Sequence, residues 1–186
     1  PDLAAAVRTI SNLNRRYSDP GLGNLLEFVR QIRSPKRALL KGNIRDSDFR
    51  LSEPGHTGAA VLAFAGFGMK TGALPFSLID RFFAGHGVAA GSLFDRRGCL
   101  FWKGVPAFGE TLDASVNGLK DRLGAMGVSR TYTLGNSGGG VGAMVYGCEL
   151  EAQRALSFSG PTDLRPSFLR QHGDTRGQAV IHALKR

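Results

Sequence analysis

The chain has 186 residues, 42% of them hydrophobic and 21% charged, which predicts an ordinary soluble globular protein with one domain and one core. No run of about 18 apolar residues occurs, which excludes a membrane-spanning helix. The net charge of +9 comes from 24 basic against 15 acidic residues, but the basic ones are scattered, so no nucleic-acid role is expected.

Dense basic sequence occurs only at Arg15-Arg16 and between Arg30 and Lys41. No charged-then-apolar secretory leader is visible, although the chain opens on Pro1, and its ends are expected to be processing boundaries. Cys99 and Cys148 are too few for a disulfide framework or a zinc site, and a reducing, cytoplasmic compartment fits both. Cys148 shares a helical face with Val141, Met144 and Val145, so core packing is expected for it. Neither a metal nor another cofactor is expected.

In chain order, residues 2–33 are expected to be helical, with Leu3, Val7, Ile10 and Leu13 followed by Leu22, Leu25, Leu26, Val29 and Ile32. The Asp19-Pro20-Gly21 break divides them into two helices. Residues 1–36 thus form an N-terminal helical segment and 37–186 the core. Irregular edge strands are expected over 38–52, where Leu39, Leu40, Ile44, Phe49 and Leu51 stand among charges. From Ala59 a regular alternation begins. The strands are Ala59–Ala65, Val88–Phe94, Thr131–Leu134 and Ala155–Phe158, and the helices are roughly 72–85, 110–126 and 138–150. This rhythm predicts an α/β fold with a mostly parallel sheet and helices on both faces. The strands are short and apolar throughout, as strands buried on two sides should be.

The most informative stretch is Arg130–Ala143, where Tyr132-Thr133-Leu134 leads directly into Gly135-x-Ser137-x-Gly139 and small residues then open a helix. A serine on such a strand-to-helix turn is raised above the sheet edge, where a base and a substrate can reach it. If Ser137 is a nucleophile, the backbone N–H of Gly138 supplies one oxyanion donor. The second comes from the loop after the first inner strand, and the Phe67 amide is the candidate.

These features, ordered along the chain, resemble the α/β-hydrolase superfamily over about residues 59–164. Val61–Gly68 looks like the strand ending in His-Gly-x that supplies the first oxyanion donor, with Ala65 in place of the usual histidine. Leu93-Phe94-Asp95-Arg96-Arg97-Gly98 is similar to the family's Asp-x-Arg-Gly, whose acid usually links loops and is not catalytic. Phe101 and Trp102 follow, either lining an acyl or aromatic pocket or covering the core. The Gly135–Gly139 elbow completes the match. The resemblance implies a serine hydrolase acting on an ester, thioester or amide carbonyl through an acyl-enzyme on Ser137, a carboxylic ester hydrolase first, with acyl transfer using the same serine.

A triad of this type runs Ser, then Asp or Glu, then His along the chain. His56 and His86 precede strands and are expected at the opposite edge of the sheet. After Ser137 come His172 and His182. Asp163 lies just beyond the fourth strand and is the first candidate acid, with Asp174 second; His172 is a weak candidate base. The family pattern needs two further strands before its histidine, whereas Arg165–Arg186 reads as one or two helices carrying Phe168, Leu169, Val180, Ile181 and Leu184. The hydrolase core is therefore expected to be incomplete at its C-terminus, with a missing C-terminal portion or a partner chain supplying the base.

Two other classes compete. A hydrolase-like module without catalysis accounts for the unplaced histidine. A nucleotide-binding domain accounts for Gly138-x-Gly140-x-x-Ala143, which fits the dinucleotide fingerprint, with Asp163 about 20 residues later. Against it, Gly135-Asn136-Ser137 intervenes between the strand and the first fingerprint glycine. On the packing reading, Gly139, Gly140, Gly142 and Ala143 let the helix lie close to the sheet.

Overall fold

The computed structural model describes residues 3–40, 47–68, 71, 74–173 and 182. Strand β2 (Ala59–Phe64) has no polar residue, and all six of its positions are buried, so it belongs inside a sheet covered on both sides. It pairs in parallel with β3 (Ala89–Leu93) on one side and with β4 (Arg130–Asn136) on the other. The short strand β1 (Phe49–Leu51) runs antiparallel along β3, and β5 (Arg154–Phe158) closes the other edge, parallel to β4. The order is β1-β3-β2-β4-β5, a five-stranded mixed α/β sheet with all but one strand parallel.

Helices lie on both faces, but they leave the edge strand β5, expected to be buried on two sides, largely uncovered, with Leu156 and Phe158 exposed. Alternate residues of β2 point opposite ways, and the two sets pack against different helices. Ala60, Leu62 and Phe64 meet α4 (Leu112–Ala125) and α5 (Gly138–Glu149) through Val116, Leu119, Leu123, Ala143 and Tyr146. Ala63, with Ala90 of β3 and Leu134 of β4, meets α3 (Phe76–Gly85) through Phe76, Ile79 and Phe83. Deep in the first layer, Phe64 lies edge-on to Phe101 at 5.0 Å between centroids and tilted against Tyr146 at 5.1 Å. Burial pushes the Tyr146 hydroxyl up to about 12.

The N-terminal segment divides where proline requires it. Helix α1 (Leu3–Tyr17) ends before Asp19, whose carboxylate accepts the Leu22 N–H at 3.0 Å and caps α2 (Pro20–Arg30), with Pro20 in the first turn. Leu26, Val29 and Ile32 are buried, and Phe28 stacks on Phe82 of α3 at 5.2 Å. A buried ion pair, Arg37 with Asp80 at 2.6 Å, fastens the following strap to the same helix. The other Asp80 oxygen accepts the Leu40 N–H, and Arg37 also donates to the carbonyls of Val88, Ala38 and Asp80. Every charge is thus met, which a buried pair requires.

The four strands and the three helices expected after Ala59 occur, with ends shifted by a few residues, whereas of the edge strands expected over 38–52 the described residues show β1 alone. One short helix, α6 (Pro166–Gln171), stands in the predicted C-terminal helical stretch. Ile44, Asp174, Val180, Ile181 and Leu184 lie outside the described residues. One packing expectation is corrected, and one pair of alternatives is decided. On α5, Val141 is buried, but Met144 and Cys148 are exposed, because the sheet-facing stripe of the helix runs through Gly139, Ala143, Tyr146 and Gly147. Phe101 is core and Trp102 is 43% exposed.

Cys99 is fully buried behind the Asp95 loop, and burial pushes its thiol up. Thiolate, not thiol, attacks disulfide reagents. The native protein should therefore release one equivalent of thionitrobenzoate from a soluble aromatic disulfide at pH 8, from Cys148, and two after unfolding in guanidinium.

Candidate active site

In an open parallel sheet the natural binding crevice lies beyond the carboxyl ends of the strands, where neighbouring strands send their helices to opposite faces. Here that point lies between β2 and β4, because α3 leaves β2 for one face and α5 leaves β4 for the other. The loop after β2 carries Gly66 and Phe67, and the turn after β4 carries Ser137.

Ser137 has φ 51° and ψ −126°, a left-handed φ that serine rarely adopts. Such a conformation costs about 1–3 kcal/mol and persists only where its surroundings impose it. Those surroundings are visible on both sides. A Cβ at Gly135 would lie 2.1 Å from the Gly139 carbonyl oxygen, and one at Gly139 would lie 2.2 Å from that of Phe64. The first turn of α5 is therefore pressed against the ends of β2 and β4. The Ser137 N–H donates to Phe158 O at 2.9 Å, and Gly140 N–H donates back to Ser137 O at 2.9 Å. The hydroxyl makes no capping hydrogen bond to its own helix.

The loop after β2 runs against this turn. A Cβ at Gly66 would sit 3.1 Å from Asn136 O and 3.6 Å from Ser137 Cβ. Among the described residues no protein acceptor takes the N–H of Phe67 or of Gly138. The Phe67 ring is half exposed and lies over Gly138.

Ser137 opens into a cavity of about 270 Å³. Phe67 and Leu100 form its near wall, and Ser159–Leu164 with Phe168, Leu169 and His172 its far wall. Ser137, Phe67, Gly138, Asp163 and His172, five residues singled out in the sequence, thus share one cavity. Leu100 was not foreseen. It follows β3 with φ 57°, and only the Asp95 loop explains its place. Asp95 accepts the N–H groups of Arg97 at 3.2 Å and Phe101 at 3.0 Å, and Arg97 donates to the carbonyls of Lys103 and Gly104. Asp95 is a loop tie, as expected for it. Phe101 and Trp102 do not line the cavity.

The triad contacts are not made. Among the described residues no hydrogen bond joins Ser137 to a histidine or Asp163 to His172. Asp163 is instead gripped by Arg165, whose Nε lies 3.0 and 2.9 Å from the two carboxylate oxygens and whose backbone N–H donates at 2.8 Å. His172 stacks on Phe168 at 4.2 Å, with Nδ1 2.9 Å from Phe168 O. A carbonyl only accepts, so Nδ1 is the donor in this contact, and in the neutral ring the lone pair is on Nε2, the arrangement a general base needs. His182 is exposed and does not line the cavity. His56 packs on Gly87 and His86 on Phe82, at the end of the sheet opposite Ser137.

The fingerprint glycines have packing neighbours. A Cβ at Gly140 would lie 2.4 Å from Ser157 Oγ, and one at Gly142 2.5 Å from the Phe101 ring. Compared with protein-family models, curated proteins and solved structures, the chain matched none.

Two outcomes test this geometry. Ser137→Gly removes the cost of the positive φ and should raise stability by about 1 kcal/mol in urea unfolding, whereas Ser137→Ala should not. The Arg165 hydrogen bonds hold the Asp163 carboxyl below the usual carboxylate range. A depressed folded value means that the pair contributes above the unfolded pKa, about 3.9, and is lost as pH falls through the lower folded value. Carboxyl-carbon NMR should show Asp163 titrating at lower pH than a free aspartate, and Arg165→Ala should return it to the ordinary range.

Proposed function

We propose that the protein is a serine hydrolase of the α/β-hydrolase type, acting on an ester, thioester or amide carbonyl through an acyl-enzyme on Ser137. The observation that carries this reading is Ser137 itself: a strained backbone at a strand-to-helix turn, with an uncapped hydroxyl facing an apolar cavity. The strand order supports it, since it opens the sheet at that serine.

In the proposed reaction Ser137 Oγ attacks the carbonyl carbon while its proton passes to a base. The oxyanion is received by the amides of Phe67 and Gly138, each such donor being worth about 3–4 kcal/mol in the transition state. The helix α5 N-terminus behind Gly138 adds a favourable dipole. The carbon–leaving-group bond then breaks, and the base returns its proton to the leaving group. Water repeats the sequence to free the acid, or another acceptor takes the acyl group.

The proposal gives the base role to His172, whose Nε2 lone pair is available and which shares the cavity with Ser137. Asp163, held by Arg165, then acts as a fixed negative charge near that ring. A second arrangement has its own support. β5 has one strand neighbour among the described residues, and Leu156 and Phe158 are 52% and 56% exposed. Further strands from a C-terminal portion or a partner chain would pair that edge and bring their own histidine. Without such a base, the module would serve as a non-catalytic accessory.

A fluorophosphonate probe should label the protein, and Ser137→Ala should abolish both labelling and turnover of p-nitrophenyl esters. Labelling that survives in Ser137→Ala would end the nucleophile assignment. If His172 is the base, His172→Ala lowers kcat about 10²- to 10⁴-fold. Unchanged turnover in that variant assigns the base to sequence or a partner outside these residues.

A further inference from the structure

Resting on that reading of Ser137, the geometry points to the acyl group it accepts: uncharged, apolar and about six to eight carbons long. Three properties of the cavity lead there. The first is its surface. Phe67, Leu100, Pro161, Leu164, Phe168 and Leu169 surround Ser137 and Gly138, so the space beside the reacting carbonyl is walled mainly by hydrocarbon.

The second is size. A dry apolar cavity of about 150 Å³ holds a benzene ring, so roughly 25 Å³ serves each non-hydrogen atom. At about 270 Å³ the Ser137 cavity, which opens to solvent, holds about ten such atoms within its walls, a carbonyl with a chain of about eight carbons. An acetyl group would leave most of the hydrocarbon wall unpaired. A sixteen-carbon chain would leave most of its length in water.

The third is charge. Among the described residues lining the cavity there is no Lys or Arg to receive a carboxylate. The one anion there, Asp163, is already matched by Arg165 from outside the cavity wall. An acyl chain ending in a carboxylate would meet Asp163 with no cation of its own among the described lining residues. A neutral chain meets no such opposition.

Leu164 is the residue through which size can be varied. It lines the cavity and packs, half-buried, against Leu100 and Val141, so its side chain borders the space without forming the centre of the sheet core. Replacing Leu164 by Trp fills the cavity, and replacing it by Ala enlarges it.

The test is the chain-length profile of the full chain on p-nitrophenyl acetate, butanoate, octanoate, decanoate, dodecanoate, hexadecanoate and hemisuccinate, with fluorophosphonate labelling run in parallel. kcat/KM should rise about two- to fourfold per methylene up to octanoate, because each buried methylene adds hydrophobic binding. It should fall at least about tenfold at hexadecanoate, and hemisuccinate should be slower than butanoate. L164W should move the optimum to butanoate or shorter, and L164A should move it beyond octanoate, with labelling retained in whichever variant folds. A flat profile, a maximum at hexadecanoate, or an unmoved optimum in a folded variant would overturn the acyl-size inference while labelling still supports the nucleophile. Absence of labelling and of turnover on every ester in the wild-type chain overturns the nucleophile reading, and the size preference with it.

Discussion

The site depends on one steric constraint, the contact between the first turn of α5 and the carboxyl end of β2. Gly139 lies so close to the Phe64 and Ala65 carbonyls that no side chain fits, and Gly135 is closed off in turn by the Gly139 carbonyl. With the helix drawn in this far, the chain has one residue, Ser137, in which to change from strand to helix. A reversal in so little chain demands a left-handed φ, and the side chain of the residue that adopts it is thrown outward. Glycine there would cost less backbone energy. The presence of serine means that strain is tolerated where the hydroxyl is placed, a pattern typical of functional positions.

The cavity walls inherit their order from different parts of the fold. The loop carrying Phe67 leaves β2 for α3, and α3 is held from behind by the Arg37–Asp80 pair and the Phe28–Phe82 stack. Breaking such a buried pair on one side costs about 3–5 kcal/mol because the remaining charge is stranded. The N-terminal segment therefore bears on the site although it is remote from Ser137. On the other strand, Asp95 and Arg97 gather the 95–104 loop so that Phe101 enters the core and Leu100 enters the cavity. Two adjacent residues, both with positive φ, are divided between stability and the site.

What could be read from the sequence follows from how local its cause is. The uninterrupted apolar run of β2, the Asp19-Pro20-Gly21 break and the Gly135–Gly139 elbow each depend on a few neighbouring residues, and each was legible. The cavity lining was legible where it followed strand ends: Phe67, Ser137, Gly138 and Asp163 all come just after a strand. Leu100 was missed because its direction comes from carboxylate hydrogen bonds made five residues earlier. Cys148 and Met144 were misread for a related reason. Their helical spacing is genuinely apolar, but α5 meets the sheet through glycines, which a hydrophobic pattern does not count. A helix that packs through absent side chains conceals its buried face from any reading based on hydropathy. The grip of Arg165 on Asp163 was equally hidden, since a pairing two residues apart in a loop has no periodicity to betray it.

The two walls of the cavity also differ in how firmly they are held. Phe67, Ser137 and Gly138 follow β2 and β4, which have strand neighbours on both sides, and they adjoin the most deeply buried part of the sheet. Ser159–Leu164 follow β5, an edge strand whose Leu156 and Phe158 are half exposed, and α6 adds one buried side chain, Leu169. Local stability follows buried contacts and paired backbone, so Phe67, Ser137 and Gly138 stand on the more stable wall, and Asp163, His172 and the apolar residues after β5 stand on the less stable one. Chemistry needs fixed geometry to within fractions of an ångström, whereas an apolar acyl group needs only a hydrocarbon boundary that can close around it. On the proposed reading, the division of the cavity between a central turn and an edge-strand loop matches these two demands for the nucleophile and the acyl group, while the base stands on the edge-strand side. Ser137 could be located from its local turn, and Asp163 and His172 from their order along the chain, whereas Leu100 and Leu164 reach the cavity through loop contacts that no sequence pattern marks.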